Sequence, residues 1–186
     1  MNKVIGLFAG SLRKESFSRK IAKAVAAMAP AGFEFKIISL GDLPLYNQDF
    51  DDENQVPESY TIFRNEVKVI DGAIFITPEY NRSVPAVLKN ALDVGSRPYG
   101  KSVWDGKPGA VFSNSPGSIS GFGANHHLRQ SLVFLNVPVM QQPEVYLTKV
   151  DELFDEQRNI QKEEIREFLQ KAVDAFIVWF NKNSSQ

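Results

Sequence analysis

The 186-residue chain contains no cysteine, only two histidines and no charge surplus, with 21 Lys and Arg against 22 Asp and Glu. Each shortage removes a class of function. Without cysteine there is no disulfide, no thiolate zinc centre and no cysteine nucleophile, a composition that accords with a reducing compartment. His126 and His127 are neighbours that would point about 100° apart on a helix, so they cannot share one ion and no metal site is expected. A near-neutral chain without a basic stripe has no field for gathering a polyanion, so nucleic acid is not an expected partner. No stretch reaches the roughly 20 apolar residues of a membrane span. The N-terminal apolar run Val4 to Ala9 is too short for a signal-peptide core, and its basic residues Arg13 and Lys14 follow it. A cytoplasmic protein with no membrane partner is the expectation.

What is present is globular: 43% hydrophobic and 23% charged residues, without a fixed-period repeat or low-complexity tract, so one domain over residues 1–186 is expected. Val4 to Ala9 is a near-continuous apolar run ending at Gly10, as a strand buried on both faces reads. Phe33 to Leu40, Gly72 to Thr77, Gly109 to Ser113 and Pro138 to Leu147 supply four more strand regions. Between them helical spacings place helices from Ser16 to before Pro30, over Glu58 to Val69, after Ser83 as the cap, and over about Ala124 to Leu135. The last helix, carried by Ile165, Phe168, Leu169, Ala172, Val173, Phe176, Ile177 and Phe180, has the strongest signal. Five strands alternating with five helices predict an α/β fold, a three-layer doubly wound parallel sheet. The polar loop 41–57 has no legible role.

Ligands of such sheets bind beyond the carboxyl ends of the strands, where strand order reverses. The first exit, Gly10 to Ser18, runs from a strand into a helix N-terminus and offers Ser11, Ser16, Ser18 and Arg13, the equipment of a phosphate cradle. Its plainer reading is a serine-rich N-cap. An arginine there is unfavourable with the helix dipole unless an anion is present. The loop has no G-x-G-x-x-G dinucleotide fingerprint. At the second exit, Thr77 to Pro85, free amides and the side chains of Tyr80 and Asn81 could meet a planar ring, or form an ordinary turn. Glu79 there reads as a solvated loop carboxylate. The third exit, Ser113 to Gly123, is small and flexible, fit for close approach of a ligand or for a mobile linker.

Gly95 to Ser102 matches the P-loop expression, but it follows a helix rather than a strand and is succeeded by Gly106 and Pro108, so the match is rejected. Arg97, Tyr99 and Lys101 become candidates for a pocket rim instead.

Gly-Ser-x-Arg-x-x-Ser-Phe-Ser from Gly10, Pro-Glu-Tyr-Asn from Pro78, Leu88-Lys89-Asn90, and His127-Leu128-Arg129-Gln130 together resemble the NADPH-dependent FMN reductase family over nearly the whole chain. Within that family the pattern is most similar to bacterial quinone and chromate reductases. The resemblance implies a flavodoxin-like fold and an FMN-dependent oxidoreductase. Hydride would pass from NADPH or NADH to FMN and on to quinones, chromate, azo compounds or free flavin, with no catalytic side chain. By position it assigns Ser11, Arg13, Ser16, Phe17 and Ser18 to the phosphate and ribityl chain. Pro78, Glu79, Tyr80 and Asn81 go to the ring, and Ser115 to a further contact. It implies a homodimer or homotetramer using the helices after Ser83 and Gly123, with Arg129 and Glu144 as partners across a second interface. Relatives often carry Asn at the position of Ser18 and Tyr at those of Arg82 and His126. A flavodoxin-type electron carrier or a flavin-binding regulator is the alternative, although the acidity and phosphate loop usual in flavodoxins are missing.

Overall fold

The computed structural model describes residues 2–184. Five parallel strands stand in the order β2-β1-β3-β4-β5: β1 (Lys3–Ala9), β2 (Phe33–Ile38), β3 (Gly72–Thr77), β4 (Gly109–Asn114) and β5 (Val145–Leu147). The register pairs Ile5 with Phe35 on one side of β1 and Leu7 with Ile74 on the other. Strand order therefore reverses between β1 and β3, which opens a crevice where their exits diverge.

Because successive residues of a strand face opposite ways, the central strands feed two cores. Ile5, Leu7, Ile74, Ile76 and Phe112 face α1 (Phe17–Ala26) and α6 (Glu163–Asn183), whose inner stripe includes Val173, Phe176 and Phe180. Phe8, Phe75 and Val111 face the other layer, made of α3 (Glu58–Lys68), α4 (Ala86–Gly95) and α5 (Phe122–Phe134). Every residue of β3 and of β4 is buried, which is why both read as unbroken apolar runs.

The helices differ from expectation where local chemistry gives more than one solution. Ser83 does not cap α4: Pro85 holds that position, and the Ser83 hydroxyl meets His127 Nδ1 at 3.0 Å instead. Proline is well placed there because the first turn of a helix has no use for its missing N–H. The strand region from Pro138 narrows to Val145–Leu147, preceded by an isolated bridge between Val139 and Gly109. Prolines 138 and 143 remove ladder donors, so the stretch between them cannot pair continuously.

The loop 41–57 carries a one-turn helix, α2 (Asp49–Asp52), and is fastened down rather than free. Asn90 on α4 accepts the Tyr46 amide at 2.8 Å and donates to the Pro44 carbonyl at 2.8 Å. Arg64 on α3 grips both oxygens of Asp51 at 2.8 Å and donates through Nε to the Val94 carbonyl. The strap closes the edge of the second core, laying Leu43, Tyr46, Phe50 and Val56 over it. Gly95 ends α4, and the segment after it runs through turns to β4, so no helix opens behind the P-loop-like sequence.

Candidate functional site

The exits of β1, β3 and β4 converge on a cleft of about 100 Å³ lined by Ser11, Arg13, Ser16, Phe17, Ser18, Pro78, Glu79, Tyr80, Asn114, Ser115 and Pro116. Of the residues the family resemblance assigns to the cofactor, all but Asn81 line it. Asn81 lies one residue on, in the turn that leads to α4. Larger hollows lie elsewhere, about 780 Å³ between α1 and the start of α6 and about 540 Å³ along α4 and α5. The chemistry of the lining, rather than volume, singles out the strand-exit cleft.

Its floor gathers the donors an anion would need. Ser16 caps α1, its hydroxyl accepting the Arg19 amide at 3.2 Å, which leaves the amides of Phe17 and Ser18 as the remaining open donors of the first turn. The hydroxyls of Ser11 and Ser115 accept the amides of Arg13 and Gly117 at 3.4 and 3.1 Å. Each hydroxyl keeps its proton free to donate outward. Glu15 is paired with Lys20 at 3.1 Å and Arg158 at 2.8 Å, and the Lys20 bond holds its carboxyl below the usual range. Those two cations are therefore committed, whereas Arg13 is exposed and its guanidinium has no hydrogen-bond partner among the described residues.

Two side chains sit differently from expectation. Ser18 is buried, and its hydroxyl accepts from Asn114 Nδ2 at 3.0 Å and lies 3.4 Å from Asn114 Oδ1, so the side chain is engaged within the fold while its amide remains an open donor of the first turn. Glu79 is no solvated carboxylate: its side chain is 8% exposed, paired with Arg82 at 2.7 Å and accepting the Ala124 amide at 3.1 Å. The physical reason is the N-terminus of α5, which has Gly121 at its cap position with no capping side chain and draws in the nearest anion.

Asn114 was missed by sequence reading. It is 2% exposed, ends β4, and donates to the Thr77 carbonyl at 3.1 Å as well as to Ser18, tying the three exits into one frame. A polar residue closing an otherwise apolar buried strand must find partners, and that was the available signal.

Arg97 and Tyr99 do not rim this cleft. They follow α4 to its far end and line hollows with Phe134 and Leu135, while Lys101 is exposed. Arg129 turns inward, donating to Asn125 Oδ1 at 2.8 Å and the Met140 carbonyl at 2.9 Å, with burial depressing its pKa. Glu144 accepts from the Tyr146 hydroxyl at 3.0 Å, and burial, followed by that contact, raises the tyrosine's pKa. The two histidines face different partners, His126 meeting the Tyr146 hydroxyl at 3.1 Å.

A reversed strand order, a first exit lined by serines and Arg13 at a helix N-terminus, and an exposed tyrosine at the second exit define a flavodoxin-like domain. Comparison with known proteins narrows the class. Residues 3–152 match the family model described as NADPH-dependent FMN reductase, and the chain belongs to that family. A quinone reductase of Pseudomonas putida is 53% identical over 179 residues, 96% of this chain and 95% of the relative. A 2-hydroxy-1,4-benzoquinone reductase of a Burkholderia species is 43% identical over 175 residues, 94% of each. FerB, a flavoenzyme NAD(P)H:(acceptor) oxidoreductase from Paracoccus denitrificans, superposes with a TM-score of 0.91 at 37% identity, covering 98% of this chain and 100% of FerB. The protein is an FMN-dependent NAD(P)H oxidoreductase. Among the described residues no helix is long and apolar enough to cross a membrane.

Proposed function

We propose that this chain holds FMN in the strand-exit cleft and reduces quinones with electrons from NADPH or NADH, as a cytoplasmic homodimer or homotetramer. The observation that carries the reading is the convergence of an uncommitted arginine, open helix-terminal amides and serine hydroxyls on one cleft at the β1/β3 reversal. Those groups fit a phosphate monoester, and a cleft of about 100 Å³ suits the phosphate end rather than a whole nucleotide. Arg13, the amides of Phe17 and Ser18, and the hydroxyls of Ser11 and Ser16 would take the phosphate. The backbone from Pro78 to Asn81, the Tyr80 ring and Ser115 would meet the isoalloxazine and its neighbouring atoms. FMN supplies the hydride chemistry between nicotinamide and quinone, so the chain needs no nucleophile or general base of its own.

The protein's part is to bind, orient and screen. Arg13 contributes a charge-assisted contact from the loop after β1. Tyr80, 57% exposed, presents an aromatic face beside the amides of the second exit. Exposed Tyr99, Val133 and Phe134 around the ends of α4 and α5 make an apolar surface suited to a second copy of the chain. The quinone acceptor is inferred from what the Pseudomonas and Burkholderia relatives are named for.

The test is to record the visible spectrum of the purified protein and follow NADPH and NADH oxidation with a benzoquinone. A colourless protein that takes up no FMN and oxidises neither nicotinamide would refute the reading. Arg13→Ala should weaken FMN binding by about 1.5–3 kcal/mol, the scale of a hydrogen bond to a charged group. Fluorescence titration of the apoprotein checks it, and an unchanged affinity would remove Arg13 from the phosphate site. Tyr80→Ala should change the flavin absorbance and slow turnover; identical spectra and rates would take the tyrosine off the ring.

A further inference from the structure

We infer that Glu79 is a positioning residue: its buried carboxylate clamps the turn that presents the second strand exit onto the N-terminus of α5, and so sets the ledge on which the flavin ring rests. The inference rests on the proposed placement of FMN and concerns a residue that does not itself need to touch the ring.

The turn demands an external restraint. Tyr80 and Ser83 exchange backbone hydrogen bonds of 3.1 and 2.9 Å, leaving Asn81 and Arg82 as the two central residues, with φ of 49° and 62°. Two consecutive non-glycine residues in the left-handed region are costly, and Asn-Gly or Gly-Gly is the usual occupant of such a turn. Here Arg82 stands where glycine would be favoured, so the conformation has to be held from outside.

Glu79 holds it on two sides. One carboxylate oxygen receives Arg82 Nη1 at 2.7 Å, binding the side chain of the strained residue, and the other receives the Ala124 amide at 3.1 Å, anchoring the turn to α5. The contact surface is tight: a Cβ on Gly123 would lie 2.6 Å from the Arg82 carbonyl oxygen and 2.9 Å from Glu79 Oε2. Gly123 is thus the small residue that lets the turn seat on the helix. The helix dipole and Arg82 together offset the charge of a carboxylate whose side chain is only 8% exposed. Since α5 also follows the third exit, the clamp locks the second and third exits to one another.

Three variants separate this role from charge and from folding. Glu79→Ala removes both contacts, Glu79→Gln keeps an oxygen for the Ala124 amide, and Gly123→Ala disturbs the seat while leaving the carboxylate in place. Glu79→Ala and Gly123→Ala are expected to weaken FMN binding roughly tenfold or more, the scale of losing a hydrogen bond to a charged group. Both should shift the visible spectrum of bound FMN in the same direction. Glu79→Gln should fall between the parent and Glu79→Ala, since it keeps an acceptor for the Ala124 amide and turns an NH2 toward Arg82, whose 68% exposed side chain returns to water at small cost. In the apoprotein, trypsin should cut after Arg82 faster in Glu79→Ala and Gly123→Ala than in the parent and Glu79→Gln, a readout independent of flavin. Parental FMN affinity and parental cleavage in Glu79→Ala would overturn the inference, as would a loss in Glu79→Gln equal to that in Glu79→Ala. Should the parent bind no FMN, the proposed function fails, and the cleavage rates still decide whether Glu79 holds the turn.

Discussion

Replacing Trp104 by alanine is expected to lower folding stability by about 3–5 kcal/mol, the range for emptying a buried aromatic site. Trp104 lies in the irregular segment between α4 and β4, yet it is fully buried. It stands edge-on to Phe8 with centroids 5.2 Å apart and packs against Phe75 and Phe63 at 5.7 and 6.1 Å. Its indole N–H donates to the Leu92 carbonyl at 3.1 Å, and it presses on Gly95, where a Cβ would come within 2.4 Å of Nε1. Against a net stability of about 5–15 kcal/mol, such a loss leaves little reserve. Trp104→Phe should cost less, because the Leu92 carbonyl keeps its bond from the Ser96 amide at 3.0 Å. Urea unfolding of the three proteins measures the differences, and an alanine variant within about 1 kcal/mol of the parent would contradict the packing described. Phe8 and Phe75 lie just inside the exits of β1 and β3, so FMN affinity should fall with the same substitution.

The second large effect is expected at the strap. Asp51→Asn should destabilise by about 3–5 kcal/mol, the scale for leaving a partner charge buried and unpaired. The Arg64 and Asp51 side chains are 14% and 5% exposed, and the bidentate geometry at 2.8 Å is lost when one oxygen becomes an amide. Removing both charges, with Arg64→Met and Asp51→Leu together, should recover part of the loss, since no isolated charge remains. A double-mutant cycle in urea reads the coupling, and strict additivity would show that the pair does not fasten the strap. The effect carries a pH signature. Chiefly through its hydrogen bond from Arg64, the Asp51 carboxyl is held below its ordinary value. Its folded pKa is therefore lower than the unfolded one, and its stabilisation is present above about pH 3.9 and lost as acid carries the carboxyl through its folded value. The gap between parent and Asp51→Asn should be full at pH 7 and shrink only below about pH 3.9.

Much of the architecture was legible because its determinants are local. Gly72 to Thr77 and Gly109 to Ser113 read as strands since burial on both faces demands a near-continuous apolar run, and α6 was plain because one stripe faces one core. The site was legible in outline for the same reason. A serine-rich stretch with Arg13 between a strand and a helix has only one place to go in a doubly wound sheet. Ser83 misled because serine caps helices well in general, and here Pro85 had already taken the position while His127 gave the hydroxyl another partner.

By itself the sequence determined the layers, the alternation of strands and helices and the exits where a nucleotide would bind, all set by periodicity within a dozen residues or so. Only the tertiary structure decided how the exits are held. Glu79 reaches Ala124 across 45 residues, Asn114 reaches Thr77 across 37 and Ser18 across 96, and Arg64 secures a strap that had no legible role. Such contacts come from buried polar groups seeking partners wherever the folded chain brings them, and their pairing is fixed by space rather than by spacing.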